Sequence, residues 1–85
     1  MYLAKVHIVL KPVVNDPQGL TIKSALHNLG FSLVSGVRAG KYIEIKVATE
    51  EQDNAQEQVD EMCRKLLANP VIEQYSFTIE KISSV

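Results

Sequence analysis

Cys63 is the only cysteine in the sequence. It lies between Met62 and Leu66 on the apolar stripe of a predicted helix, where a thiol serves as a small core group rather than a reagent. A lone cysteine permits no intramolecular disulfide, and a thiolate metal cluster would need several chains. His7 falls on a predicted strand and His27 on a predicted helix, and two isolated histidines fall short of a ligand set; both read as surface or interface groups. Glu50, Glu51, Asp53 and Glu57 would suit a cation, but acidic residues at a helix start offset the helix dipole, and that accounts for them without a metal. No serine or cysteine stands in a local pattern with histidine and a carboxylate. Neither GxxxxGK(S/T) nor GxGxxG occurs, so nothing supports an autonomous nucleotide site. The chain thus carries no catalytic constellation of its own.

Two polar loops are more informative. Lys11-Pro12, followed by Asn15-Asp16-Pro17-Gln18-Gly19, presents free backbone N–H groups at a helix start, a place that suits an anion or a partner's carboxylate. Capping explains Asp16 and Pro17 but not Gln18 and Gly19. Glycine in a first turn costs up to about 1 kcal/mol relative to alanine, so something is expected to approach the Gly19 backbone closely. Arg38-Ala39-Gly40-Lys41 places two cations around a hairpin tip, suited to acidic groups of a partner or to phosphate. The partner-contact candidates are therefore Lys11, Asp16, Gln18, Gly19, Arg38, Gly40 and Lys41.

The elements that hold these loops follow from periodicity. Tyr2, Ala4, Val6, Ile8 and Leu10 alternate with Leu3, Lys5, His7, Val9 and Lys11, the pattern of a strand with one strongly apolar face, closed by Pro12. Asn15-Asp16-Pro17 supplies a cap and a proline at the first helical position. Ile22, Ala25, Leu26 and Leu29 then share one face of a helix running from Pro17 to Leu29, with Gly30 where a left-handed residue ends it. Alternation returns over Phe31 to Ala39, breaks at the glycine turn, and resumes with Ile43, Ile45 and Val47, which predicts a β-hairpin. Thr49 and Gln52 have capping-box spacing for a second helix. Its predicted buried stripe is Ala55, Val59, Met62, Cys63, Leu66 and Leu67, and Asn69-Pro70 ends it. Val71 to Ile82 is the last strand.

The order βαββαβ predicts an α+β, ferredoxin-like sandwich spanning residues 1–85 as one domain, with a four-stranded antiparallel sheet and two helices on one face. The opposite face is expected to carry Leu3 and Val9 uncovered, which predicts self-association through the sheet or its edges. Nine basic and ten acidic residues give a net charge of -1, interspersed rather than blocked. That argues against nonspecific attraction to nucleic acid or anionic membrane. There is no apolar run long enough to span a bilayer, and the alternating N-terminus lacks signal-peptide features, so the expected compartment is the cytoplasm.

Leu10-Lys11-Pro12, Asp16-Pro17-Gln18-Gly19, Leu29-Gly30-Phe31, Val37-Arg38-Ala39-Gly40-Lys41 and Leu67-Ala68-Asn69-Pro70-Val71-Ile72-Glu73-Gln74-Tyr75 occur in an order and spacing that resembles the PurS family. These are the small subunits of phosphoribosylformylglycinamidine (FGAM) synthase. Val13-Val14-Asn15 departs from the glycine, valine and leucine more usual there. The resemblance implies a part in the step of purine biosynthesis that converts formylglycinamide ribonucleotide to its amidine with glutamine and ATP. It also implies a division of labour. A glutaminase subunit releases ammonia with its own cysteine, a large synthetase subunit binds ATP and magnesium, and a small-subunit dimer joins them. No cofactor is expected on this chain.

Three other functions use the same element order. An amino-acid-binding regulatory domain is the main alternative, but Pro12-Val13-Val14-Asn15 stands where its glycine-rich ligand loop would be. An RNA-recognition domain needs aromatics on the central strands, and the first strand's outer face offers His7 instead. Acylphosphatase needs an arginine-bearing phosphate loop that Lys11-Pro12 does not supply.

Overall fold

The computed structural model describes residues 1–83. Its elements are β1 (Tyr2–Leu10), α1 (Pro17–Asn28), β2 (Gly40–Val47), α2 (Gln52–Met62) and β3 (Glu73–Lys81), with a π-helical turn, Cys63–Leu67, extending α2. β1 is the central strand of an antiparallel sheet ordered β2-β1-β3. Its alternation sets the register: Ala4 lies between Ile45 and Ile79, Val6 between Ile43 and Phe77, and Ile8 between Lys41 and Tyr75. On that face Ala4, Val6 and Ile8 pack with Val59 and Cys63 from the α2 segment, and all five are fully buried. Burying side chains such as valine and isoleucine contributes roughly 1.5–3 kcal/mol each, so this small cluster is the main support of the fold.

Among the described residues the sheet has three strands, not the expected four. Phe31–Ala39 alternates as a strand does, but Ser32 and Leu33 form a turn and residues 34–39 join no ladder. Ladder formation needs a partner edge, and this stretch does not meet one within its own chain. The expectation of two helices on one face is corrected in the same way. α2 packs over β1 and β3, whereas α1 makes at most marginal contact with the sheet. Ile43, Ile45 and Val47 of β2 consequently remain only partly buried.

Three local details also differ. Thr49 and Gln52 form no capping box; Glu51 is the N-cap of α2 and makes no side-chain cap bond, while Thr49 Oγ1 accepts from Glu51 N and Asn54 Nδ2, each at 3.3 Å. Leu66, expected inside, is exposed, because the π-helical turn rotates the stripe after Cys63. The open sheet face is more polar than expected. Leu3 and Val9 are joined there by a Lys5–Glu80 ion pair at 3.3 Å and by His7 and Tyr42, whose rings lie 4.9 Å apart.

The ends of α1 follow the sequence closely. Asp16 Oδ1 accepts from Gly19 N at 2.9 Å, and Pro17 opens the helix. Gly30, at φ +100°, closes it, with Gly30 N donating to His27 O and Phe31 N to Leu26 O, both at 3.0 Å. That is the paired arrangement of a Schellman motif, and it reverses the chain at the end of α1.

Candidate functional site

Most of the loop residues singled out above meet at one end of the sheet, where they form a brace at the base of α1. Asp16 is only 4% exposed, and its carboxylate has two backbone donors: Gly19 N on Oδ1 and, across the gap to the returning chain, Ala39 N on Oδ2 at 2.8 Å. Those donors, Ala39 first, hold the Asp16 carboxyl below its ordinary range, with the Arg38 charge adding to the effect. The Arg38 guanidinium donates to Val14 O and to Lys11 O, each at 3.0 Å. Gly19 has the close neighbour its position predicted. That neighbour is the chain's own Val37 carbonyl, and a β-carbon at residue 19 would collide with it. Gly40 is similarly confined, since a β-carbon there would stand 2.7 Å from Ile8 O.

Lys11 and Lys41 tie the brace to the segment before β3. Lys11 Nζ donates to Pro70 O at 2.9 Å, and Lys11 N donates to Ile72 O at 2.8 Å. Lys41 Nζ lies 3.5 Å from Glu73 Oε2, while Glu73 Oε1 accepts from Asn69 N at 2.7 Å. A shallow concavity of about 230 Å³ brings Asp16, Gln18, Gly40 and Lys41 together with Glu73. Gln18 and Lys41 are exposed at its rim. Arg38 and Asp16 thus have intramolecular work, which the spacing did not reveal because their acceptor and donor groups are backbone atoms distant in sequence. His27 is another such case: Nε2 lies 2.8 Å from Val34 O and clips the returning segment to α1.

None of this assembles a reaction centre. Burial pushes the Cys63 thiol up, with a smaller push from Asp60, so the thiolate is disfavoured. A wider groove of about 830 Å³ between α2 and β3 holds Asp53, Glu57, Asp60 and Tyr75. There the Tyr75 hydroxyl donates to Asp60 Oδ1 at 2.6 Å, and Arg64 Nε donates to Oδ2 at 3.1 Å. These donors hold the Asp60 carboxyl low, a structural pairing that pins α2 to β3. Among the described residues, no helix is long and apolar enough to cross a membrane.

Known proteins match this architecture along nearly its whole length. Residues 3–81 match the family model described as PurS, phosphoribosylformylglycinamidine (FGAM) synthase. The chain is 49% identical over 82 residues to phosphoribosylformylglycinamidine synthase subunit PurS of Methanocaldococcus jannaschii, covering 96% of this chain and 99% of that one. The crystal structure of PurS from that organism, described as one of the subunits of formylglycinamide ribonucleotide amidotransferase in the purine biosynthetic pathway, superposes with a TM-score of 0.86. Identity there is 48%, with 98% of this chain and 100% of that chain covered. A chain from the structure of PurLQS from Thermotoga maritima superposes with a TM-score of 0.82 at 31% identity, covering 94% and 99%. On these matches the chain belongs to the PurS family of FGAM synthase subunits.

Proposed function

We propose that this chain is the non-catalytic assembly subunit of FGAM synthase. It self-associates and joins a glutaminase subunit to a large synthetase subunit, so that ammonia released from glutamine reaches the ATP-activated substrate without loss to solvent. The benefit is one of proximity. The nucleophile belongs to the glutaminase, and ATP and magnesium to the synthetase, which fits a chain whose one thiol is buried. The reaction is placed in the cytoplasm. The observation that carries this reading is the match over residues 3–81 to a synthase subunit family. Lys11, Asp16, Gln18, Gly19, Arg38, Gly40 and Lys41 are assigned to partner positioning. Gln18 and Lys41 make direct contact, and the other five shape the surface that presents them.

Reconstitution tests this. The large and glutaminase subunits are mixed with glutamine and ADP, with or without this chain, and then assayed with ATP and substrate. The three chains are expected to co-elute. Omitting this one is expected to remove glutamine-dependent synthesis while sparing synthesis from added ammonium. An equal glutamine-dependent rate without it would overturn the proposal.

A further inference from the structure

We infer that two proline turns at one end of the sheet, residues 11–14 and 69–72, present Val13 and Val71 as a rigid pair of anchors for a partner subunit, whose complementary surface is an apolar recess bordered by carboxylates. The inference rests on the assembly role proposed above and names a surface that carries it.

The two turns are built alike. Each has proline at its second position and valine at its third. Each closes with a backbone hydrogen bond from its fourth residue to its first, Val14 N to Lys11 O at 2.9 Å and Ile72 N to Asn69 O at 3.2 Å. Proline suits the second position because its φ is already set for a turn. Turn tips otherwise draw glycine, asparagine, aspartate or serine, and valine offers a turn none of their advantages. Intramolecular packing does not account for the valines either, since Val13 is 94% exposed and Val71 77%. A lone surface aliphatic needs no explanation, but two at matching positions of adjoining turns form one feature.

The pair is fixed in advance. Lys11 ties one turn to the other: its N donates to Ile72 O at 2.8 Å and its Nζ to Pro70 O at 2.9 Å. Arg38 holds the first turn at both ends, through Lys11 O and Val14 O. Asn69 closes the second, with Oδ1 accepting from Val71 N at 3.1 Å and O accepting from Glu73 N at 2.7 Å. The backbone of both turns is therefore ordered before a partner arrives, and β-branched valine has few rotamers to lose on contact.

Charge defines the partner. Arg38 and Lys41 are exposed at this end, and Lys11 gives only one of its three ammonium donors to Pro70 O. The carboxylates are turned inward. Asp16 is 4% exposed and held by two backbone N–H groups, and the Glu73 side chain, 15% exposed, lies on Asn69 N and Lys41. Two aliphatic tips flanked by cations thus face outward on a chain whose net charge is -1. An apolar recess with a carboxylate border complements them. The same end of a second copy does not, because it would bring like charges together.

Two measurements test the anchors: fluorescence titration of the labelled chain into the mixed large and glutaminase subunits with glutamine and ADP, and sedimentation equilibrium of the chain alone. Val13→Ser and Val71→Ser are each expected to weaken binding at least about 10-fold, and the double variant at least about 100-fold, as for valine side chains left in water. Leu66→Ser, on a side chain 82% exposed on the π-helical turn, is expected to bind as the parent does. Circular dichroism establishes that the variants are folded. A double variant with parental affinity, or an equal loss in Leu66→Ser, overturns the anchor role and leaves the assembly role standing. A parent chain that does not bind the mixed subunits overturns both. Valine variants that alter self-association also overturn the inference, since the occupant is then a second copy.

Discussion

The sheet with α2 and the arm built on α1 draw on the same apolar residue types and leave them in opposite surroundings. Val6, Ile8, Val59 and Cys63 are completely buried, whereas Leu20, Leu29, Phe31 and Leu33 face solvent. In the first region β1 sits between two strands and beneath a helix, so its alternating side chains have neighbours above and on both sides. In the second, the helical periodicity of α1 is just as regular, yet among the described residues α1 makes at most marginal contact with the sheet. Periodicity thus identifies a face that needs burial and is silent on which surface covers it. One region buries its apolar residues within the chain, and the other leaves them exposed.

Three substitutions sharpen that contrast. Ile8→Ala opens the body, and urea unfolding is expected to show a loss of about 2–5 kcal/mol, as for other aliphatic core truncations; a smaller change would mean the arm shares in the core. At the junction, Gly19→Ala drives a methyl group into the Val37 carbonyl and is expected to cost about 1–3 kcal/mol. Gly36→Ala, with open space around it, is expected to be neutral or slightly stabilising in the same measurement. Equal effects at the two glycines would remove the close contact from the account of the brace.

A further effect concerns pH. Hydrogen bonds to the folded carboxylate lower the Asp16 pKa. Its contribution to stability is therefore present above its ordinary 3.8 and is lost as pH falls through the lower folded-state value. Asp16→Asn is expected to unfold at lower urea than the parent at neutral pH, with the gap narrowing below pH 3.8. A gap that stays constant through the acid range would show that the charge on Asp16 is immaterial.

Local signals in the sequence were reliable at α1 and β1, though the capping-box spacing of Thr49 and Gln52 was not. The N-cap Asp16, Pro17, the left-handed Gly30 and the alternation of β1 all appear where their residues place them. The hairpin reading failed at Phe31–Ala39 because strand alternation there was not matched by an edge within reach. The candidate loop residues do converge on one end of the sheet, and Gly19 did mark a close approach. What spacing could not convey was that Asp16 and Arg38 bind backbone groups from the far side of the arm, since every residue type carries such groups.

The central position of β1 has a further consequence for how the chain comes into being. Tyr2 lies beside Lys81, so β1 waits for β3, made after α1, β2 and α2, before its second edge is occupied. α1 and the segment that braces its base emerge in the interval. Pairings between residues so distant in sequence close slowly, so the body is expected to fold only once β3 has been made.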